Sequence, residues 1–234
     1  MVRCETQRTT DDGILTSPSE RMDMVEITKV DPAEIESLSF KIIQEEAGEH
    51  GFEPEKWAVV RRLIHTTADF DFIRQTRFHQ QAIEAGISAI KTGAAIVTDT
   101  HMARAGITKT HLAPFGCEVH CFINDDEVIA AAKTGNITRA AAAVSRGRDL
   151  LNGGIAVIGN APTALTELVR LFQQEEVQPA LVVGMVVGFV NAAEAKELLM
   201  DSGLVYITVA GRKGGSAVAA ATVNAIANLA AKEE

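Results

Sequence analysis

The sequence predicts an α/β fold: a single domain with a five-stranded, mainly parallel sheet covered by helices on both faces. Three observations predict it. Short, continuously apolar, β-branched runs recur between Gly, Pro, Asn and Asp; helical stretches separate them; and no linker or internal repeat divides the chain. The 234 residues suit one compact domain. With 47% hydrophobic residues but only 5% aromatics, its core must be aliphatic.

The elements follow in order. Residues 1–24 are polar and without periodicity, so they are expected to form a loose tail, with the domain spanning 25–234. In "DPAEIESLSFKIIQEEAGEH" Asp31 can cap a helix, Pro32 suits its first position, and Ile35, Leu38 and Ile42 recur at helical spacing. A second helix runs through "PEKWAVVRRLIH", and a third through "HQQAIEAGISAIKTG" up to Gly93. Five strands then appear at "AAIVTD", "EVHCFIN", "IAVIGN", "PALVVGM" and "LVYITVA". Between and after them lie helices at "DEVIAAAKTG", "ITRAAAAVSRGRDLL", "APTALTELVRLFQQ", "NAAEAKELLM" and "SAVAAATVNAIANLAAKEE". A Rossmann-like sheet of this kind binds ligands beyond the carboxyl ends of its strands, near a topological switch point. The candidate positions are therefore residues 99–102, 124–125, 160–163, 184–188 and 211–216.

Composition excludes several functions. A formal net charge of -9 argues against a nucleic-acid partner and requires a local basic pocket for any polyanionic ligand. No run approaches the ~18 apolar residues of a membrane span, and the first residues lack the apolar region of a secretory signal, so the cytoplasm is expected. Three cysteines, Cys4, Cys117 and Cys121, fit a reducing compartment. No dinucleotide fingerprint, P-loop or nucleophile elbow is present, so no dinucleotide cofactor is expected. Nor is a metal: on a strand Cys117 and Cys121 share a face from which His120 points away, and no second ligand pair follows.

Two stretches carry chemistry. In "VVRRLIHTTADFDF" the residues Ala58, Arg61, Arg62 and His65 share one wedge of a helix, and Arg61 and His65 are four apart. Asp69 would be the next position on that stripe if the helix continued. A histidine between a cation and a carboxylate can serve as a proton donor near neutral pH, although spacing alone leaves open a histidine that merely caps carbonyls. "GRKGGSA" follows the last strand and opens the last helix. Its glycines allow close backbone approach, Ser216 can cap, and Arg212 and Lys213 add charge, so the loop fits a phosphate or carboxylate, or is a plain turn. In "IGNAPTAL" Asn160 caps and Pro162 suits a first turn, which reads as structural.

Together "IESLSFKII", "RLIHTTADFDF", "TDTHMARAGITKT", "GNAPTALTELV", "GFVNAAEAKE" and "GRKGGSAVAAATVNA" resemble the precorrin-8X methylmutase family of cobalamin biosynthesis, over about residues 28–230. "HTTADFD" and "GITKT" look more like its cobalt-precorrin-8 branch. The chain departs from the family at Val186, usually proline and expected on the ligand rim, at Asn191, usually glycine, and at Ala195, usually serine. The resemblance implies a cofactor-free isomerisation in which a methyl group moves from C-11 to C-12 of a corrinoid ring, any cobalt belonging to the substrate. It implies His65 as proton donor. Arg62, Arg139, Arg212 and the amides of Gly214, Gly215 and Ser216 suit the substrate's carboxylate fringe. Ser39, Asp99, Met102, Thr108 and Asn160 match family positions near the ligand, and a homodimer with sites near its interface is implied. A non-catalytic tetrapyrrole carrier would need the same cleft without His65. A nucleotide- or phosphate-binding enzyme would use "GRKGGS" and ignore corrinoids.

Overall fold

A computed structural model of the chain describes residues 29–232. The tail expected over 1–24 lies outside the described residues. The described residues fall into two units, one ending at Leu38 and one beginning at Ser39. In the first, Asp31 Oδ1 accepts from the Ala33 N–H at 2.9 Å and Asp31 O from the Glu34 N–H at 2.8 Å. Asp31 and Pro32 thus build a turn ahead of helix α1 (Ile35–Ala47) instead of its first residues. Ile35 and Leu38 are exposed.

The second unit holds a six-stranded sheet in the order β1-β6-β5-β4-β2-β3. Its strands are β1 (Thr76–Phe78), β2 (Ile96–Thr98), β3 (Val119–His120), β4 (Ile155–Ile158), β5 (Leu181–Gly184) and β6 (Tyr206–Val209). β2 to β6 pair in parallel, and each comes from one of the five apolar runs. The sixth strand corrects the expected five. β1 pairs antiparallel with β6, Thr76 opposite Val209, and its "TRF" has no apolar run of its own, because edge pairing defines it. β2 lies between β3 and β4, so the connections diverge there and the topological switch point falls between β2 and β4.

Eleven more helices surround the sheet among the described residues: α2 (Pro54–Thr67), α3 (Asp71–Gln75), α4 (Ala82–Lys91), α5 (His101–Gly106), α6 (Lys109–Leu112), α7 (Asp126–Gly135), α8 (Arg139–Arg146), α9 (Arg148–Leu151), α10 (Pro162–Gln173), α11 (Ala192–Asp201) and α12 (Ser216–Lys232). The strand residues alternate between two cores. Ile155, Val157, Leu181, Val183 and Ile207 pack with α2, α4 and α12, while Ala156, Ile158 and Val182 pack with α10 and α11. The Ala-rich α12 is buried on most sides, and its small side chains let neighbours come close. A Cβ on Gly106 of α5 would lie 2.9 Å from the Ala220 Cβ. No helix among the described residues is long and apolar enough to cross a membrane.

Candidate functional site

One carboxylate closes the crevice between β2 and β4. Asp99 follows β2 and is 2% exposed. Its Oδ1 accepts from the Gly159 N–H at 2.8 Å, and its Oδ2 from the Asn160 and Ala161 N–H groups at 2.9 Å each. Burial pushes the carboxyl above its ordinary pKa, and the three amides act against that shift. Beside it, Thr100 Oγ1 lies 2.8 Å from Ser216 Oγ, tying the β2 loop to the start of α12. Asp99 and the buried Ser216, expected against a ligand, thus have their side chains engaged in holding the rim's backbone. Asn160 is exposed on the loop that Asp99 fixes.

The loops beyond β5 and β6 are built differently. Gly214 has φ 155°, and a Cβ there would fall 2.3 Å from the Met185 carbonyl oxygen, so glycine is required. The Gly215 N–H, expected to face an anion, donates to Met185 O at 2.7 Å, and the Gly188 N–H reaches Arg212 O at 3.3 Å. Arg212 is exposed, its guanidinium carbon 5.5 Å from the centre of the Phe189 ring. Phe189 is 86% exposed and Val190 76%. Met102, in the first turn of α5, is also largely exposed. Sequence reading missed Phe189 and Val190, since nothing in the apolar run "VVGFV" separates rim from core. Val186, expected on the rim, is wholly buried in the core of α10 and α11, and exposure begins at Val187. Asn191 has φ 60°, a conformation that glycine adopts freely and asparagine tolerates, while Ala195 is buried in the same core.

His65 lies in the last turn of α2. Ala68, at φ 52°, ends the helix by donating its N–H to Ile64 O at 2.7 Å. The helix therefore stops before Asp69, which is not the histidine's carboxylate partner. Asp69 Oδ1 accepts from the Asp71 N–H at 2.9 Å and Oδ2 meets Lys213 Nζ. The partner of His65 is Ser39, with Oγ 2.8 Å from Nδ1. The Phe40 ring stands edge-on to the imidazole at 5.3 Å and also faces the guanidinium carbons of Arg61 and Arg62 at 4.4 and 4.9 Å. Arg62 lines a groove with Ala225, Asn228 and Leu229 of α12.

The remaining candidates are dispersed. The Thr108 N–H donates to Asn224 Oδ1 at 2.8 Å, and Asn224 Nδ2 reaches Gly106 O at 3.0 Å, a bridge from α12 that the sequence did not reveal. Arg139 opens α8 and is exposed. Lys196 of α11 is wholly buried; its Nζ donates to Lys213 O at 2.7 Å, and burial pushes the ammonium down to about 8. Clefts of 490 and 640 Å³ lie beside Glu53 and Glu84 and beside Ile137 and Arg170; of the candidate positions only Thr163 lines either, in the second. Among the described residues no three His, Cys, Asp or Glu side chains gather as a metal-binding group.

Fold and rim define the class: a doubly wound α/β protein with a histidine-bearing, largely open carboxyl edge. The chain matches the family described as precorrin-8X methylmutase over residues 34–229. It is 48% identical to the cobalt-precorrin-8 methylmutase of Leptospira interrogans, covering 85% of this chain and 94% of that one. It is 46% identical to the cobalt-precorrin-8 methylmutase of Priestia megaterium, over 86% and 89%. The crystal structure of a precorrin-8x methyl mutase from Thermus thermophilus superposes with a TM-score of 0.82 at 47% identity, covering 86% of this chain and 97% of that one. The chain belongs to the precorrin-8X methylmutase family and is an isomerase of cobalamin biosynthesis.

Proposed function

We propose that this chain moves a methyl group from C-11 to C-12 of precorrin-8 or cobalt-precorrin-8, giving hydrogenobyrinic or cobyrinic acid, with His65 as the proton donor. The cobalt form is the preferred substrate, a reading supported by the names of the two curated relatives. The observation that carries the role of His65 is its pairing with Ser39. The contact between Ser39 Oγ and Nδ1 sets the ring's orientation: in the acid form of the imidazole Nδ1–H donates to the hydroxyl and Nε2–H is left for the substrate. Nε2 then protonates, or hydrogen-bonds to, a ring nitrogen beside the migrating methyl and draws electron density toward it. Substrate and product are isomers, so any proton lent must return to His65, and the reaction as written needs no added cofactor.

Met102, Phe189 and Val190 offer an apolar platform for the flat ring, and Arg212 beside Phe189 offers a cation for its carboxylates. Arg62 and Arg139 extend that charge along the substrate fringe. The protein works as a homodimer with this rim near the subunit interface, a reading supported by the openness of the rim in one chain. Absorbance recorded after mixing the protein with cobalt-precorrin-8 tests the function, since conversion changes the chromophore whereas mere binding only perturbs it. His65→Ala should keep fold and binding but lose roughly 10²- to 10⁴-fold in turnover. Wild-type turnover in that variant would remove His65 from the chemistry.

A further inference from the structure

The glycine loop and the elbow after His65 are joined by one side chain. Lys213 Nζ meets Asp69 Oδ2 and lies 2.8 Å from Asp71 Oδ2. Asp69 lies in the elbow that follows the His65 helix, and Asp71 opens α3 just after it. Asp69 is held from its other side by the Asp71 N–H at 2.9 Å, and Asp71 also pairs with Arg74. The loop end of the bridge is equally fixed. The buried Lys196 ammonium holds the Lys213 carbonyl at 2.7 Å, the Gly215 N–H bonds Met185 O, and the Gly188 N–H bonds Arg212 O. Lys213 thus spans two anchored segments that are 142 and 144 residues apart in sequence.

Its charge is committed. Hydrogen bonds to Asp69 and Asp71 hold the Lys213 ammonium above its ordinary pKa, and the bond from Lys213 holds the Asp71 carboxyl below its own. A lysine matched by two carboxylates offers little to an anionic substrate, and Arg212 is the loop cation that stays outward. The Lys213 side chain is 40% exposed, and exposed ion pairs add little to stability. A contact that contributes little to folding but fixes two functional segments is a positioning contact.

We propose that Lys213 is a positioning residue for the isomerisation, fastening the His65 elbow to the glycine loop so that the acid and the anion-binding edge keep one separation. The proposal rests on the reading of His65 as the proton donor. The test compares Lys213→Met and Lys213→Arg with the wild-type protein in turnover of cobalt-precorrin-8, in unfolding midpoint, and in the NMR signals of the His65 ring. Lys213→Met should lower kcat by about 10- to 100-fold, the scale of a misplacement near 1 Å, with KM changed less than threefold and the midpoint nearly unmoved. Lys213→Arg should restore most of the turnover. In a double-mutant cycle, Asp69→Asn should add little to Lys213→Met. A rise in KM with unchanged kcat would make Lys213 a direct ligand of the substrate and overturn the proposal. So would a fall in midpoint that tracks the loss of activity, or full turnover without the lysine. If the wild-type protein converts nothing, the functional reading fails by itself. The clamp is then decided by NMR, and it is overturned if Lys213→Met leaves the His65 ring signals where they were.

Discussion

The two halves of the sheet's carboxyl edge use charge in opposite ways. At β2 and β4 a carboxylate is sealed inside, with Asp99 spending its oxygens on three backbone amides. At β5 and β6 a guanidinium stands outside, with Arg212 exposed beside the exposed Phe189. The inner charge shapes the rim and the outer one is available to a ligand. The difference teaches that a charged residue at a strand end is not by itself a binding residue. What matters is whether its hydrogen-bonding capacity is already consumed.

The comparison is broken most directly at the inner half. Asp99→Ala leaves three amides without an acceptor and should cost about 3–5 kcal/mol of stability, read from urea unfolding. Unchanged stability with lost substrate binding would place Asp99 among the ligand contacts instead. Lys196→Met probes the other buried charge. The folded ammonium loses its proton near 8 and the unfolded one near 10.5, so the unfolded chain binds more protons between those values. Wild-type stability should therefore rise relative to the Met variant as pH climbs through that window, by up to about 3 kcal/mol, and level off at its lower value once pH is below 8. A pH-independent difference would mean that Lys196 keeps its ordinary affinity for the proton in the folded protein.

The outer half should respond in binding. Arg212→Ala is expected to weaken corrinoid affinity about tenfold, with turnover at saturation nearly kept, because a peripheral carboxylate is held alike in ground and transition states. A drop in saturated turnover at constant affinity would move Arg212 into the chemistry. The smallest effect is expected from deleting residues 2–22, which carry little apolar surface: solubility, assembly and conversion should stay close to intact. A truncated protein that aggregates or falls to monomers in sedimentation would make the tail a structural arm.

Much of the fold was legible because β2, β4, β5 and β6 come from apolar, β-branched runs bounded by Gly, Asn or Asp, a signal that survives without tertiary context. β1 was not, since three residues at a sheet edge have no pattern of their own and exist only through β6. The short α3, α5 and α6 escaped for the same reason, and "ITRAAAAVSRGRDLL" hid its break at Gly147, where a Cβ would approach Phe122 and Val97 to 3.1 Å. In the candidate site, the glycine loop and His65 were visible as motifs, but their partners were not. Ser39 reaches His65 across 26 residues, and Asp69, four positions from the histidine, is diverted to Lys213 because Ala68 ends the helix. Periodicity locates a residue on its own element and is silent about which distant element will meet it.

The central place of α12 has a consequence for how the chain is made. This helix covers one face of the sheet, packing on β4 and β5 and against α2, α4, α5 and α6, yet it follows all six strands in the sequence. A chain growing from its amino end therefore completes all six strands before the last helix of this face exists. The apolar face of β4, β5 and β6 has to wait, covered only by α2 and α4, until the Ala-rich segment leaves the ribosome. For this protein the hazardous interval in the cell lies between the synthesis of β6 and that of α12, and codon choice or growth temperature acting on that interval should govern how much of it reaches the folded state.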